Sequence, residues 1–418
     1  MKHFKKEDYK ICVVGMGYVG LPLAARLSLK GFDLVGFDIN SARIKQLKNA
    51  NDSNNDIDLE SLKTLSKNSF LTSNISDIKN CNIFIITVPT PINEDNTPNL
   101  EPIISASTMI GKIMSKGSIV IYESTVYPGV TDEVCTPILE KESKFKLNGD
   151  FSTGYSPERI VPGDKVNTID RIKKVVAASN LEALKKISYI YSLIIDAGIF
   201  QASSIKVAEA SKVVENIQRD VNIALVNELH QMFDLLEINT DEVIEAASTK
   251  WNFMKLTPGL VGGHCISIDP YYLMHKSLMK GYSPHLMSTA RKINDEMHQW
   301  VVSRFIRFIA DNNLDLNSVN ITFLGYTFKE NCNDVRNTKV KNLLESFLNL
   351  GVNLSLWDPL LLDIDKSKLI SLGIKVYDLI PEDIELAFVC VYHDEIINFL
   401  NSYDGLIFDF KKLNIANS

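Results

Sequence analysis

The stretch TPGLVGGHCISIDPYYL, residues 257–273, combines residue types that could do covalent chemistry. Gly262 and Gly263 precede Cys265, and Asp269 follows one turn later. Glycines let a loop take unusual backbone angles and approach a ligand closely, and a cysteine thiolate is a strong nucleophile. A nearby cation, for which Lys212 is a candidate, would increase the thiolate fraction. From these residues alone, Cys265 is either such a nucleophile or a small buried side chain.

A second set of residues has the spacing of a dinucleotide site. VVGMGYVG places Gly15, Gly17 and Gly20 in G-x-G-x-x-G spacing, after an apolar run and before a helical one. The first glycine permits a tight turn, the second lets a pyrophosphate approach the backbone, and the third allows close packing of helix on strand. The motif therefore predicts dinucleotide binding, although a glycine-rich turn that binds no ligand can have the same sequence pattern.

Asp38 ends the next strand-like run, where its carboxylate could accept hydrogen bonds from both ribose hydroxyls. A carboxylate there repels a 2′-phosphate, so NAD is preferred over NADP. Tyr18, Val19 and Arg43 are counted with the same site, and Arg43 is the cation that would favour NADP.

A third set of polar residues lies at helical spacing in the region 205–238. At about 100° per residue, one stripe holds Lys212, Asn216, Arg219, Asp220 and Asn227. Such a stripe either faces a polar cavity or is an ordinary solvated face.

The elements around these residues indicate an α/β protein. Strand-like runs are YKICVVG, FDLVGFD, NIFIITV, SIVIYES and IKKVVAAS, with helical segments between several of them. This alternation predicts a parallel, doubly wound sheet. From residue 320 a second strand, helix and strand follow in NITFLGYTF, TKVKNLLESFLNLG and VNLSLWDP, and two more strand-like runs are LAFVCVY and GLIFDF.

Between these regions, residues 205–238 contain no Pro or Gly and predict one helix, roughly 50 Å long at about 1.5 Å per residue. The sequence thus predicts two Rossmann-like doubly wound lobes joined by a long central helix and a helical middle domain. The predicted boundaries are an NAD-binding domain at 1–204, a central dimerisation domain at 205–305 and a second α/β domain at 306–418. A helix of this length predicts at least a dimer.

Composition excludes several classes of function. The 418 residues are 45% hydrophobic and carry a net charge of −7, which gives no footprint for nucleic acid. The longest apolar run is too short for a membrane span, and the basic N-terminus lacks a signal-peptide core, so we expect a cytoplasmic protein without a membrane partner. The six cysteines have neither disulfide-framework nor metal-ligand spacing, and no metal is expected.

Several motifs occur in the order found in the UDP-glucose/GDP-mannose dehydrogenase family. They are KICVVGMGYVGLPLA, TVPTP, ESTVYPG, YSPERIVPGD, AEASKVVENIQRDVNIALVNEL, GLVGGHCISIDPYYL and GYTFKENCNDVRNT. Together they span nearly the whole chain, and the chain closely resembles this family.

The resemblance implies a four-electron oxidation of a sugar C6 alcohol to a carboxylate with two NAD molecules in succession. Cys265 attacks the intermediate aldehyde, the thiohemiacetal loses a second hydride, and water cleaves the resulting thioester. Lys212 and Asn216 would stabilise the oxyanions. Thr125, Glu158 and Asp269 would position water and relay protons, whereas from sequence alone they are a strand-end hydroxyl, a solvated turn carboxylate and a loop cap.

The family also assigns binding roles, and the resemblance implies that the domain at 306–418 binds the UDP-sugar. Thr90 and Thr125 are expected to border NAD, and Arg336 to reach the NAD site of the assembled homodimer. The nucleotide sugar is expected to contact Gly262 and Lys329 and a further set that comprises Glu158, Arg159, Lys212 and Asn216. Without the family, Lys329 and Arg336 would be surface charges.

Two spellings, SPERIVPGD and STKWNFMKLTPGLVGGHC, most resemble the branch that oxidises UDP-N-acetylhexosamines for bacterial surface polysaccharides. Ile268 and Pro162 stand where the UDP-glucose branch usually has a lysine and a glutamate, so contacts of those side chains cannot be transferred. UDP-N-acetylglucosamine is the favoured substrate, ahead of its galacto epimer. UDP-glucose is the alternative, and GDP-mannose is less favoured.

Two rival functions come from other classes. A two-electron hydroxyacid dehydrogenase could share the first lobe and the long helix, but it has no use for Cys265. An inactive NAD-binding scaffold could keep the glycines alone, whereas this chain combines Cys265 with Lys212 and Asp269.

Overall fold

The computed structural model describes residues 4–53, 56–160, 166, 168–263, 265–316 and 318–412. Five motif positions lie outside these ranges, namely Val161, Pro162, Gly163 and Asp164 of YSPERIVPGD, and His264. The chain divides into two compact units. The first runs to Glu215 and adds Tyr271–Gly281, and the second comprises Asn216–Pro270 and the chain from Tyr282 onward. The finer division into three domains stays a prediction.

Strands and helices alternate in both units. The strands are β1 Lys10–Val14, β2 Asp33–Phe37, β3 Phe70–Thr72, β4 Ile83–Ile86, β5 Ile119–Tyr122, β6 Ser152–Tyr155, β7 Lys174–Ala178, β8 Ile199–Gln201, β9 Ile321–Leu324, β10 Leu354–Trp357, β11 Lys375–Tyr377, β12 Leu386–Val389 and β13 Leu406–Asp409. The helices are α1 Gly20–Leu29, α2 Ser41–Lys48, α3 Leu59–Asn68, α4 Glu101–Ile113, α5 Thr136–Ser143, α6 Leu181–Ser192, α7 Ile205–Leu235, α8 Thr240–Ser248, α9 Asp269–Met279, α10 His285–Asp311, α11 Val340–Asn349, α12 Asp363–Ser371 and α13 Asp394–Leu400.

Local sequence signals set the ends of the first elements. Gly31 ends α1 because its φ of +74° is costly for a side chain with a Cβ, and its N–H bonds the carbonyl of Ser28 at 2.9 Å. Asn40 starts α2, where its side chain accepts from the N–H groups of Ala42 and Arg43. Gly31 thus ends the helix that joins β1 to β2, and Asn40 begins the helix that follows β2.

Within the described residues, the first unit forms one eight-stranded sheet in the order β3-β2-β1-β4-β5-β6-β7-β8. The strands from β3 to β6 are parallel, as predicted, but β7 runs antiparallel to β6. The prediction of a wholly parallel sheet is therefore wrong at this point. Helices cover the sheet and bury an aliphatic core that includes Ile11, Leu23, Ile85 and Ile187.

The second unit has a smaller sheet of five strands in the part of it that is described. Its order is β11-β10-β9-β12-β13, and all neighbours are parallel. Phenylalanine rings fill the core between this sheet and its helices, with centroids of Phe323 and Phe388 4.5 Å apart and those of Phe305 and Phe347 5.2 Å apart. Both lobes are thus Rossmann-like, as predicted.

Most apolar runs named from sequence are strands, and the long helix is confirmed as α7. The sequence reading omitted three short strands of the first sheet, β3, β6 and β8, and the long helix α10. These strands are short, and β6 contains Ser, Thr and Gly, so they lack a strong apolar signal. Among the helices described, none is both long and apolar enough to cross a membrane.

Candidate active site

The three motif glycines form a close-fitting turn between β1 and α1. Gly15 has φ +101°, and a Cβ on Gly20 would lie 1.9 Å from the Gly15 carbonyl oxygen and 2.5 Å from Thr87 Oγ1. A Cβ on Gly17 would meet nothing within 4 Å, so the backbone there is open to a ligand. Tyr18 and Val19 follow, half-exposed. The turn therefore fits a bound pyrophosphate, as the spacing predicts.

Asp38 lies at the end of β2 and is half-exposed. Its two carboxylate oxygens accept from the N–H groups of Met16 and Asn40, each at 2.8 Å, and this fixes the side chain beside the glycine turn. Arg43 does not present a free cation, because its Nη1 pairs with Asp52 at 2.7 Å and its Nε bonds the Met16 carbonyl. The feature that could have favoured NADP is therefore occupied within the chain.

Thr90 and Thr125 are brought together at the same edge of the sheet. The Thr90 hydroxyl donates to the carbonyl of Thr125 at 2.7 Å, and both residues are half-buried. This contact ties the loop after β4 to the loop after β5, where ligands of parallel sheets usually bind.

Glu158 is not a solvated turn carboxylate. It is 6% exposed, its Oε1 accepts from the N–H groups of Arg159 and Ile160, and its Oε2 lies 2.9 Å from Lys174 Nζ. Lys174 also pairs with Glu123 at 2.7 Å. Sequence reasoning missed this buried lysine, although the adjacent lysines of IKKVVAAS had to point to opposite faces of a strand, one of them inward.

Two further predicted residues of the first unit have defined surroundings. The Arg159 guanidinium pairs with the Glu215 carboxylate, at 3.1 Å from Nε and 2.8 Å from Nη2. Lys212 is 8% exposed on α7.

Glu209, also on α7, is a buried carboxylate that the sequence reading did not single out. It accepts from the N–H groups of Gly129 at 2.5 Å and Thr131 at 2.9 Å. These contacts hold the loop that carries Thr125 against α7. Burial raises the pKa of Glu209 to about 7, although both N–H donors lower it.

In the second unit, Asn216 and Asp269 are in direct contact. Asn216 Nδ2 donates to Asp269 Oδ2 at 2.5 Å, and both side chains are buried. Asp269 is the first residue of α9, and its N–H bonds the carbonyl of Cys265 at 2.9 Å. The half-buried Cys265 therefore sits one turn before a carboxylate that is already oriented by an amide.

The two glycines before the cysteine are required by close packing. Gly263 has φ +84°, and a Cβ there would lie 2.8 Å from the Phe328 ring. A Cβ on Gly262 would lie 2.7 Å from the Asn337 carbonyl oxygen. Sequence reasoning predicted the unusual backbone angle, whereas the tight approach is made by the chain's own loop 326–338.

The polar stripe on α7 is buried, apart from Arg219, which is exposed and does not belong to it. Asn227 exchanges two hydrogen bonds with the backbone of Gly259, at 2.9 and 3.0 Å, and so holds the start of the cysteine loop. Asp220 pairs with Arg291 on α10 at 2.5 Å. The stripe therefore forms internal contacts rather than a solvated face.

A cavity of about 210 Å³ lies beside the cysteine loop within the second unit. Gly262 and Ile266, on either side of Cys265 in sequence, line it together with three lysines, Lys329, Lys339 and Lys411. Arg336 is exposed and its guanidinium chelates Asp334. Trp251, upstream of the loop, is 92% exposed.

A buried histidine organises the loop that carries Lys329. His393 Nδ1 accepts from the Asn331 N–H at 2.9 Å, so its Nε2 carries the proton and faces Asp358 at 3.2 Å and the Thr327 hydroxyl at 3.0 Å. Asp358 also accepts from the N–H groups of Tyr326 and Thr327. Burial raises the pKa of Asp358, but His393 and the N–H groups of Tyr326 and Leu360 outweigh it and hold the pKa below its usual value.

The site and fold define an NAD-binding enzyme class, and comparison with known proteins identifies it. The chain matches the UDP-glucose/GDP-mannose dehydrogenase family in its NAD binding domain over residues 9–195, its central domain over 206–296 and its UDP binding domain over 322–414. This protein belongs to the UDP-glucose/GDP-mannose dehydrogenase family. It is an NAD-dependent nucleotide-sugar dehydrogenase.

The chain is also similar over most of its length to individual members of this family. The chain is 50% identical to UDP-N-acetyl-D-glucosamine 6-dehydrogenase of Pseudomonas aeruginosa over 84% of this chain and 83% of that protein, and 50% identical to protein CapL of Staphylococcus aureus over 83% and 81%. Among solved structures, UDP-N-acetyl-mannosamine dehydrogenase Cap5O from S. aureus superposes with a TM-score of 0.81 at 28% identity, covering 98% of this chain and 96% of that one.

Proposed function

We propose that this chain oxidises the C6 hydroxyl of a UDP-N-acetylhexosamine to a carboxylate through a thioester on Cys265, with UDP-N-acetylglucosamine as the preferred substrate. The observation that carries the proposal is the half-buried cysteine in a glycine loop that lines a lysine-rich cavity. Likeness to two UDP-N-acetyl-D-glucosamine 6-dehydrogenases, at 50% and 47% identity, supports the choice of sugar.

The chemistry requires a covalent nucleophile, because an aldehyde lacks the tetrahedral carbon from which a second hydride can leave. Bound NAD accepts the hydride in each oxidation. The alcohol first becomes an aldehyde, and Cys265 Sγ adds to its carbon to give a thiohemiacetal. Loss of the second hydride gives a thioester, and water then cleaves the C–S bond to release the acid and restore the thiol.

Negative charge develops on the C6 oxygen when the thiol adds and when water attacks. Lys212 supplies a buried ammonium, and Asn216, one helical turn later on α7, supplies an amide N–H. The bond from Asn216 to Asp269 leaves the carboxylate oriented to take a proton from the thiol or from water. Thr125 and Glu158 position the hydrolytic water in this proposal.

The cavity supports binding of a UDP-sugar. Of the three lysines around about 210 Å³, Lys339 also pairs with Asp295 at 2.7 Å and Lys411 with Glu330 at 3.5 Å. Lys329, from the loop that His393 and Asp358 hold in place, is the lysine that we assign to the pyrophosphate. Arg159 is assigned to the substrate side, where its pairing with Glu215 fixes its direction. Arg336 is proposed to reach the NAD site only in the assembled dimer.

The test is the number of NADH molecules formed per UDP-sugar consumed, on UDP-N-acetylglucosamine, UDP-N-acetylgalactosamine and UDP-glucose. We expect two NADH per UDP-N-acetylhexosamine with the wild type. Cys265→Ser should lose the second oxidation. Cys332→Ser, which removes another half-buried thiol of the same unit, is the matched control and should keep the ratio.

Other outcomes identify the rivals. One NADH per substrate, unaffected by Cys265→Ser, would indicate a two-electron dehydrogenase. Faster turnover of UDP-glucose than of both acetylated sugars would make the protein a UDP-glucose dehydrogenase. NAD binding without turnover of any of the three would favour a scaffold.

We propose that two copies pair through α7. Its outward face carries apolar residues at intervals of three, seven and eleven residues, which place them on one side of the helix. They are Val207, Val214, Leu225, Met232 and Leu235, and they are 47–75% exposed. A stripe of this kind along a helix indicates a partner rather than water.

Light scattering during size exclusion tests the dimer. Leu225→Asp should shift the mass from twice 46.9 kDa towards one chain. Leu379→Asp changes a residue that is 83% exposed elsewhere in the second unit, and it should leave the dimer intact. A wild-type monomer at working concentration would contradict the proposal.

We place the enzyme in the cytoplasm, where reduced thiols persist, and its uronic acid product in surface polysaccharide synthesis.

A further inference from the structure

Lys174 is buried among ionisable groups at the edge of the first sheet. Its side chain is 3% exposed, and its Nζ lies 2.7 Å from Glu123 Oε2 and 2.9 Å from Glu158 Oε2. Tyr191 on α6 donates its hydroxyl to Glu123 and places its ring 5.4 Å from the ammonium. Of the described residues, these three present the titratable groups that face Lys174, from the end of β5, the loop after β6 and α6.

The reversed strand explains how a lysine reaches this edge. Because β7 is antiparallel to β6, its first residue lies beside the carboxyl ends of β5 and β6 instead of at the opposite edge. Tyr155 pairs with Ala177, and extending that register by three residues on each strand places Glu158 opposite Lys174. The carboxyl edge is where ligands of such sheets bind. The reversed direction of β7 therefore places its first residue, Lys174, at the carboxyl edge of the sheet.

The lysine completes the set of contacts that fixes Glu158. One carboxylate oxygen receives the two backbone N–H groups of Arg159 and Ile160, at 2.7 and 2.8 Å, and the other receives the ammonium. Three donors in different directions leave the side chain one orientation. Without Lys174, the buried carboxylate would keep its two amides but lose its cation.

We propose that Lys174 is a positioning residue that keeps Glu158 ionised and oriented for the hydrolytic half of the reaction. The inference rests on the proposed function, in which Glu158 positions the attacking water. Lys174 itself touches neither substrate nor cofactor in this account. It acts through Glu158.

The pKa values of the two carboxyls are shifted in opposite directions. Burial raises the pKa of Glu123, and the charge of Glu158 adds to this, against the opposing charge of Lys174. Burial also raises the pKa of Glu158, but the charge and hydrogen bond of Lys174 and the two backbone donors outweigh it, and its pKa lies below the usual value. Lys174 therefore favours the ionised form of Glu158, and Glu123 is the carboxyl whose protonated form is favoured by burial.

Three variants separate these roles. Lys174→Met removes the charge, Lys174→Arg keeps it, and Glu123→Gln imitates a protonated Glu123. The readouts are kcat and KM for the UDP-sugar across the pH range in which each variant stays folded, with the melting temperature as a check on the fold.

We expect Lys174→Met to lower kcat about tenfold or more with a smaller change in KM. The acid limb of its kcat profile should move up by about one pH unit or more, because Glu158 loses an opposite charge within hydrogen-bond distance. Lys174→Arg should restore the limb, and Glu123→Gln should keep it near the wild-type position. If Lys174→Met does not fold, Lys174→Gln, which keeps a hydrogen-bond donor without charge, should show the same shift.

A double-mutant cycle decides whether Lys174 acts through Glu158. In Glu158→Gln the removal of Lys174 should cause no further shift of the limb. A folded Lys174→Met or Lys174→Gln enzyme with the wild-type pH profile would overturn the inference while leaving two NADH per substrate intact. A wild-type ratio other than two would instead overturn the proposed function.

Discussion

The two Rossmann-like lobes share a turn but use it differently. In each, a glycine with positive φ follows the first strand, Gly15 after β1 and Gly325 after β9, and an aspartate ends the second strand. Asp38 accepts from the Met16 N–H, and Asp358 from the Tyr326 N–H, at equivalent places. The same backbone geometry therefore recurs in the NAD-binding and UDP-binding lobes.

The two aspartates differ in what lies beside them in addition to this backbone N–H group. Asp38 remains half-exposed beside the open backbone of Gly17, so a ribose can reach it. Asp358 is 3% exposed and faces His393, and a loop of residues 326–339 separates β9 from α11. Asp38 is therefore accessible to a ligand, whereas Asp358 holds in place the loop that bears Lys329.

The largest expected effect concerns Asp358, which holds the loop that bears Lys329. Asp358→Asn should lower the free energy of unfolding of the second unit by about 3–5 kcal/mol, because it breaks a buried, charge-assisted network. Tryptophan fluorescence during urea unfolding measures this selectively, since all three tryptophans, Trp251, Trp300 and Trp357, lie in that unit. Asp38→Asn is the matched control, and because the first unit contains no tryptophan, its unfolding is followed by circular dichroism, which is also recorded for Asp358→Asn. Equal losses in both variants would contradict the division of roles.

Glu209 sharpens the comparison because it, like Asp358, is buried and accepts two N–H groups, yet no imidazole faces it among the residues described. Its folded pKa of about 7 lies above the ordinary 4.5, so its folded state binds protons more tightly. The contribution of Glu209 to the free energy of unfolding should thus be greatest below pH 4.5. It should fall by up to about 3 kcal/mol as the pH rises towards 7.

Glu209→Gln provides the check on this sign. Its unfolding free energy, followed by circular dichroism, should depend less on pH between those limits than that of the wild type. A steeper dependence in the variant would show that another group is responsible.

Gly20→Ala tests whether the first turn is built for packing as well as for a ligand. The added Cβ would meet the Gly15 carbonyl oxygen at 1.9 Å, so we expect a loss of about 1–3 kcal/mol in stability together with weaker NAD binding. Gly17→Ala has open space and should weaken NAD binding with little change in the melting temperature. Calorimetric titration with NAD and thermal unfolding separate the two effects.

The smallest expected effect belongs to the open aspartate. Asp38→Asn should weaken NAD binding about tenfold, which corresponds to roughly 1.4 kcal/mol for altered bonds to the ribose, and should change stability less than Asp358→Asn does. Unchanged NAD affinity in titration would mean that Asp38 only fixes the turn.

Local features made much of this protein predictable. The glycine turn, Asp38, the long helix and the cysteine loop are each set by residues close together in sequence, and the structure has them where the pattern predicts. The prediction that the whole first sheet is parallel was wrong. The direction of β7 is decided by its pairing with β6, and the sequence of β7 itself carries no signal for that direction. The roles of the site residues remain predictions.

The sequence by itself determined the family, the order of the elements and the candidate nucleophile, because apolar periodicity and glycine spacing are local. Tertiary structure alone decided which polar and charged groups meet. Lys174 with Glu158, Asp269 with Asn216 and Asp358 with His393 come from distant segments. Whether a carboxylate serves a ligand or holds a loop depends on the group that folding places beside it, and that group is not specified by its neighbours in sequence.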